Sequence, residues 1–319
     1  MRIGQNPAKY LNEVAKPQRI TVAVLNYIPF QSGFYAEMKD VLTACLENIK
    51  ANTDLPYDLM VFDNGSCEEI QQFLLQLHRQ GLIQYLILSD KNLGKGGAWN
   101  MILSAAPGEI IAYADNDVLF YKDWLSRSVQ LLETFPKVGM VTARPFRTKE
   151  EFYTSTLKWA QETPEVKLES GKLLPWQTFL EFNLSLGASE DEIKKSYEET
   201  TDVRLTYHDV SAFAGSSHWQ FVAYKSVLAQ FLPFEMDKPM GQVRKLDQMM
   251  NDASYLRLMV SDPLAMNMSN TLPVELRKSE QQMMAARPTG ARQGFLELAP
   301  VKRLLLGLYD RIFRWYYGK

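Results

Sequence analysis

Over roughly the first 145 residues, short unbroken apolar runs alternate with longer stretches of helical spacing. Ile20-Thr21-Val22-Ala23-Val24-Leu25 is β-branched and apolar on both faces, as a strand buried inside a parallel sheet must be. A loop containing Pro29 and Gly33 follows, and the spacing then predicts a helix over about Ala36–Asn52. Tyr57–Phe62 reads as a second strand and stops at Asp63-Asn64-Gly65-Ser66, a turn whose last residue is a ready helix cap. A helix over Glu68–Gln80 and a third strand over Gln84–Leu88 come next. Asn92-Leu93-Gly94-Lys95-Gly96-Gly97-Ala98-Trp99-Asn100 then opens a helix that runs to near Pro107. Glu109–Val118 carries a fourth apolar strand, and a helix over Trp124–Thr134 and a strand over Val138–Ala143 complete the series. Strand alternating with helix is the rhythm of a parallel sheet with right-handed crossovers.

The rhythm breaks over about residues 146–205. Glu162–Asp202 holds ten acidic and four basic side chains, with a helical stretch at Glu190–Glu199, and reads as a solvated helical insertion. Strand character resumes at Tyr207–Val210 and Gln220–Tyr224, separated by the small residues of Ala214–Ser217 followed by His218 and Trp219. His208 and His218 are read here as structural hydrogen-bonders in preference to catalysts. A helix start over Arg244–Asp252, a strand over Tyr255–Val260 and the segment Ala265–Asn270 follow. Residues 1–18 form a polar arm, 19–275 the main domain and 276–319 a C-terminal helical extension. In Val301–Lys319, Leu304, Leu305, Leu308, Ile312 and Trp315 share a helical face flanked by Lys302, Arg303, Arg311, Arg314 and Lys319. Such a basic amphipathic helix suits an anionic membrane surface, a partner, or the body of the protein itself.

The 319-residue composition, 46% apolar and 23% charged with a formal net charge of −2, is that of an ordinary globular chain. No basic excess calls for a nucleic-acid partner. Cys45 and Cys67, the two cysteines, have neither metal-ligand nor disulfide spacing. With no signal-peptide core and no run of spanning length, the expected compartment is the cytoplasm.

The chemistry concentrates at Asp115-Asn116-Asp117. An apolar strand that ends in two carboxylates one residue apart presents hard oxygen ligands where open α/β sheets hold their ligands, and suits Mg²⁺ or Mn²⁺ shared with phosphate and water. Three glycines around Lys95 at a helix start would let backbone N–H groups approach a phosphate. A tight packing turn is the equal alternative, since neither a Walker loop nor a dinucleotide fingerprint is present. Trp99, Trp159, Trp176 and Trp219 are candidate sugar-stacking surfaces.

Taken in order, the first strand, Asp63-Asn64-Gly65-Ser66, the Asn92–Asn100 glycine loop and the strand ending Asp115-Asn116-Asp117 resemble the GT-A glycosyltransferases of family two. The resemblance covers about residues 19–145, and more loosely 207–271. It implies an α/β GT-A (nucleotide-diphospho-sugar transferase) fold with a mostly parallel central sheet flanked by helices. It further implies an inverting, metal-dependent transfer of a sugar from a nucleotide-sugar donor to a glycan or lipid-linked hydroxyl.

On the family pattern Asp63 is expected to accept from a uracil-type N3–H, favouring UDP or dTDP over GDP. Asp115 is expected near the ribose, Lys95 near the phosphates, and Asp117 on the cation. Asp247 matches the place of the base that deprotonates the acceptor, although Leu246 stands where an acidic residue usually precedes it; Asp209, Glu235 and Asp237 are the alternative carboxylates. Asn267 matches the place of a third metal ligand that is often His. These two departures keep open a non-catalytic nucleotide- or glycan-binding domain. A sugar nucleotidyltransferase is the other rival, though Asn26-Tyr27-Ile28-Pro29 lacks its glycine- and arginine-rich signature.

Overall fold

The computed structural model of the chain describes residues 6–11, 13–238 and 243–273, with positions 276 and 311 besides. The chain divides after Leu272, and the architecture below is that of the first unit, Met1–Leu272. The predicted extension at 301–319 lies outside the described residues, Arg311 apart. No helix among the described residues is long and apolar enough to cross a membrane.

Four strands, β1 (Ile20–Asn26), β2 (Tyr57–Asp63), β3 (Tyr85–Leu88) and β4 (Ile110–Asp115), form a parallel block in the order β3-β2-β1-β4. Helices α1 (Met38–Asn52), α2 (Glu68–Arg79) and α3 (Gly94–Ala105) make the crossovers between them. β1 is central because both of its faces are apolar: Val22, Ala23 and Val24 have no exposed surface. Burial of each valine contributes about 1.5–3 kcal/mol. On one face α3 lays Trp99, Ile102 and Leu103 against Met60, Ile111, Tyr113 and Phe221. Trp99 is therefore a core residue and no sugar platform.

Beyond β4 the sheet continues with β10 (Gln220–Tyr224), antiparallel to β4, then β6 (Val138–Thr142) and β11 (Leu256–Val260), which run parallel to each other. β5 (Val118–Phe120) follows β4 at once and pairs with β12 (Ala265–Asn267) in a separate two-stranded ribbon. Helices α4 (Trp124–Thr134) and α9 (Val243–Asp252) lead into β6 and β11.

The far edge of the sheet departs from expectation. The segment read as a helical insertion holds α5 (Thr154–Glu162), α6 (Trp176–Ser185) and α7 (Glu190–Glu199), but also β7 (Lys167–Gly171) and β8 (Asp202–Tyr207). With β9 (Val210–Ala214), these close the sheet in the order β11-β9-β8-β7. Residues 207–210, expected as a strand, form the β8–β9 hairpin turn. His208 and Asp209 both have positive φ, 47° and 62°, as the two central residues of the favoured two-residue hairpin turn require. The insertion is stapled by Arg147, which donates to both oxygens of Asp202 at 2.8 and 3.0 Å and lies between the rings of Phe179 and Tyr197. Trp159 packs on Phe135 and Tyr207, and Trp176 on Phe179 and Tyr197.

Candidate functional site

The carboxyl ends of β2, β1 and β4 lie side by side, and one buried amide joins them. Asn26 donates to Asp63 Oδ1 at 2.7 Å and to Ser66 Oγ at 3.0 Å, and its carbonyl accepts from Asn116 Nδ2 at 2.7 Å. Asp63 Oδ2 takes the Ser66 N–H at 3.0 Å and Gln71 Nε2 at 3.1 Å. With no exposed surface and both oxygens engaged by Asn26, Ser66 and Gln71, Asp63 braces the turn.

The glycines of this corner serve close packing. Gly65 has φ +85°, and a Cβ there would stand 2.6 Å from the Lys91 carbonyl carbon. Across that contact Asn64 Oδ1 accepts from Leu93 N at 2.8 Å and its amide donates to Asn92 Oδ1 at 3.0 Å, fastening the β2 turn to the start of α3. Gly97 is packed under Leu93 and Met236, so the loop is a packed turn and no open phosphate cradle. Lys95 is buried and reaches Asp115 Oδ2 at 2.7 Å, with the rings of Trp99 and Tyr113 at 5.7 and 5.8 Å. Tyr113 donates to Asp115 Oδ1 at 2.5 Å. Burial and the neighbouring carboxylate hold the Tyr113 hydroxyl well above the ordinary tyrosine range, so it remains a donor. Lys95 and Asp115 are thus fixed as a pair, with a quarter of the Asp115 side chain open to solvent.

Asp117 is the unsatisfied member. Its Oδ1 is shut from solvent without a hydrogen-bond partner. Burial, and then repulsion from Asp115, push its carboxyl up to about 7, against smaller lowering effects from Lys95 and a hydrogen bond from Asn267. The backbone carbonyl of Asp117 accepts from Met268 N at 2.7 Å, which brings Asn267 alongside. Asn267 spends its amide oxygen on Ser269 N at 2.8 Å and faces Asp117 with its NH₂, a donor where a cation needs an acceptor. An orphaned carboxylate oxygen destabilised by a like charge fits a hard divalent cation. Among the described residues no three His, Cys, Asp or Glu side chains converge on a metal centre, so Asp117 would supply one ligand and the rest would be phosphate and water.

Asp247, in the first turns of α9, reaches this end of the sheet through residues 215–219. Gly215 N donates to Arg257 O and Ser217 N to Thr142 Oγ1, and Arg257 donates to Ser216 Oγ at 2.8 Å and Ser216 O at 2.9 Å. Trp219 O then accepts from Asp115 N at 2.9 Å. The wholly buried Arg257 forms an ion pair with Asp247 Oδ1, and His218 Nδ1 stands 3.5 Å from Asp247 Oδ2. The family resemblance grouped Asp115, Asp117 and Asp247; His218 was read from the sequence as a structural hydrogen-bonder, and Arg257, on another element, was not singled out. Trp219 packs on Phe182, with its Nε1 buried and unpartnered. Of the alternative carboxylates, Asp209 is in the hairpin turn and the exposed Glu235 pairs with Lys245 at 3.1 Å. Of two cavities of about 200 and 270 Å³, the first is lined in part by Asp209 and the second by Trp159, and neither by Asp63, Lys95, Asp115, Asp117, Asp247 or Asn267.

Comparison with known proteins gives similarity to glycosyltransferases. Residues 33–186 match the model for glycosyl transferase family 2. That segment contains Asp63, Lys95, Asp115 and Asp117, while His218, Asp247 and Asn267 follow it. An uncharacterized glycosyltransferase of Nostoc sp. is 25% identical over 135 residues, 41% of this chain and 42% of that protein. The β-monoglucosyldiacylglycerol synthase of Nostoc sp. is 29% identical over 148 residues, 44% of this chain and 31% of that protein. The chain thus spans less than half the length of these relatives. Among solved structures, the mannosyltransferase PcManGT from Pyrobaculum calidifontis, in complex with GDP-Man and Mn²⁺, is 17% identical with a TM-score of 0.45, covering 87% of this chain and 66% of that one. The chain is thus similar to glycosyltransferases over these segments, and its architecture is α/β, with a large central sheet flanked by helices.

Proposed function

We propose that this protein is an inverting, metal-dependent glycosyltransferase that moves a sugar from a nucleoside-diphosphate donor to a hydroxyl of a glycan or lipid-linked acceptor. The observation that carries the reading is the orphaned Asp117 Oδ1 at the carboxyl end of β4, beside the neutralised Lys95–Asp115 pair. Asp117 would hold Mg²⁺ or Mn²⁺, with Asn267 contributing only after its amide turns over. The cation would offset charge on the departing nucleoside diphosphate. Asp115, with its solvent-open edge, borders the donor ribose, and Lys95 fixes that carboxylate in place. The acceptor proton leaves on the side of α9, where Asp247 stands.

The lipid-linked alternative draws support from the name of the Nostoc synthase and from the basic, amphipathic sequence at 301–319. On that reading, co-sedimentation with anionic vesicles disappears when residues 301–319 are deleted, and retention of binding by the deletion would remove the membrane role.

The deciding experiment for the reaction class is a calorimetric titration with UDP, dTDP, GDP and CDP, with and without Mn²⁺, on the wild type and Asp117→Ala. One nucleotide is expected to bind with metal and to lose that binding in the variant. If none binds, the Asp115–Asp117 turn is structural and the reading fails.

A further inference from the structure

Asp247 is poorly placed to meet an acceptor directly. Its side chain is 8% exposed and Oδ1 is committed to Arg257. Arg257 is itself immobilised by Ser216 and by the carbonyl of Phe152 at 2.7 Å. The other oxygen, Oδ2, looks toward His218. The histidine side chain is 30% exposed while its Nδ1 is shut from solvent, so the exposed part of the ring is the edge that bears Nε2.

The backbone fixes where that edge lies. β10 runs antiparallel to β4 with Gln220 opposite Ala114, and Trp219 O accepts from Asp115 N. One residue further back, His218 adjoins Trp219, which is bonded to Asp115, and lies against Asp247 of α9. It therefore stands between the place where a leaving diphosphate would be held and the buried carboxylate behind it.

Resting on the glycosyltransferase reading above, the geometry points to His218 as the catalytic base, with Asp247 as its positioning residue and Arg257 as the clamp on Asp247. A histidine whose Nδ1–H points at a carboxylate presents an unprotonated Nε2, and the carboxylate stabilises the imidazolium that forms. His218 Nε2 takes the proton of the acceptor O–H, and the oxygen lone pair forms the new bond to the anomeric carbon. The bond from that carbon to the diphosphate oxygen breaks, and its electron pair leaves on the nucleoside diphosphate. The 3.5 Å separation of Nδ1 from Asp247 is longer than a hydrogen bond, and the proposal requires it to close when the acceptor seats. The charged groups around His218 are Asp247 from α9, Arg257 from β11 behind it, and Asp115 and Asp117 on the neighbouring turn.

The test uses donor hydrolysis, with water as the acceptor. Release of free nucleotide from UDP-glucose, dTDP-glucose, CDP-glucose or GDP-mannose is followed, choosing the donor whose nucleotide binds. The rate is recorded against pH at saturating donor and Mn²⁺. The wild-type kcat is expected to fall on the acid side, where the base already carries the proton. His218→Asn is expected to lose about 10²–10⁴-fold in kcat and that acid limb, with nucleotide affinity unchanged. Free imidazole is expected to restore part of the rate to His218→Ala, a rescue that a purely structural histidine would not show. A His218→Asn enzyme with wild-type kcat and the same pH profile would overturn the proposal while leaving the glycosyltransferase reading intact. Absence of nucleotide binding in the wild type would overturn both.

Discussion

On the proposed reading, a proton and a cation would compete for the Asp117 carboxylate. Burial and the neighbouring Asp115 push the metal-free carboxyl up to about 7, so near pH 6 most molecules carry the proton that a cation must displace. Mn²⁺ affinity is therefore expected to fall about tenfold for each pH unit below 7, with proton release on binding at pH 6 and almost none at pH 8. Calorimetry in buffers of different ionisation enthalpy measures both. The same shift acts on folding. A carboxyl raised above its unfolded value of 3.8 contributes stability that is complete below about pH 4 and lost as pH rises through about 7. Metal-free protein is thus expected to lose this increment between about pH 4 and 7, and Asp117→Asn to abolish that dependence in urea titrations. Lys95→Met removes a positive charge that lowers the Asp117 carboxyl, which should then titrate higher still by carboxylate NMR. Asp115 and Asp117 were legible in the sequence because an apolar run ending in two acids is a local signal. The role of Asp63 was not, since it depends on Asn26, 37 positions away, and on Gln71 in the following helix.

Among the elements, the turn after β2 and the start of α3 form one unit, and Gly65 is its narrowest point. Gly65→Ala combines a left-handed φ with a backbone overlap at 2.6 Å, and is expected to cost roughly 1–3 kcal/mol in urea unfolding and to weaken nucleotide binding. At the other edge of the sheet, Arg147→Ala leaves Asp202 buried without its partner. A loss of about 3–5 kcal/mol is expected, with protease cleavage between residues 172 and 200 appearing before global unfolding. The parallel block was readable because strands buried on both faces are continuous apolar runs. β7 was not, because Lys167–Gly171 is an exposed edge strand, and the His208–Asp209 turn was hidden by a sequence without glycine or asparagine.

Over the whole molecule, strand order was the least legible property, since hydrophobic pattern says that a strand is buried but not beside what. Nothing in Gln220–Tyr224 announces that it inserts antiparallel between β4 and β6, yet that placement carries His218 and Asp247 to the Asp115–Asp117 turn. Asn26 gives this end of the sheet its cohesion, joining the ends of three strands through one amide. Asn26→Leu is expected to destabilise the fold by about 3 kcal/mol or more, because Asp63 and Asn116 lose buried partners together; chemical denaturation checks this.

The hydrogen bond from Asp115 N to Trp219 O also acts as a gear tooth between the two halves of the proposed reaction. Deleting Ser217 would shorten the β9–β10 connection at this point and draw His218 away from Asp247. Bond-breaking on the β4 side and proton removal on the α9 side would then be out of phase. Such a protein would still grip a nucleotide and metal, and would have nothing in position to take the proton.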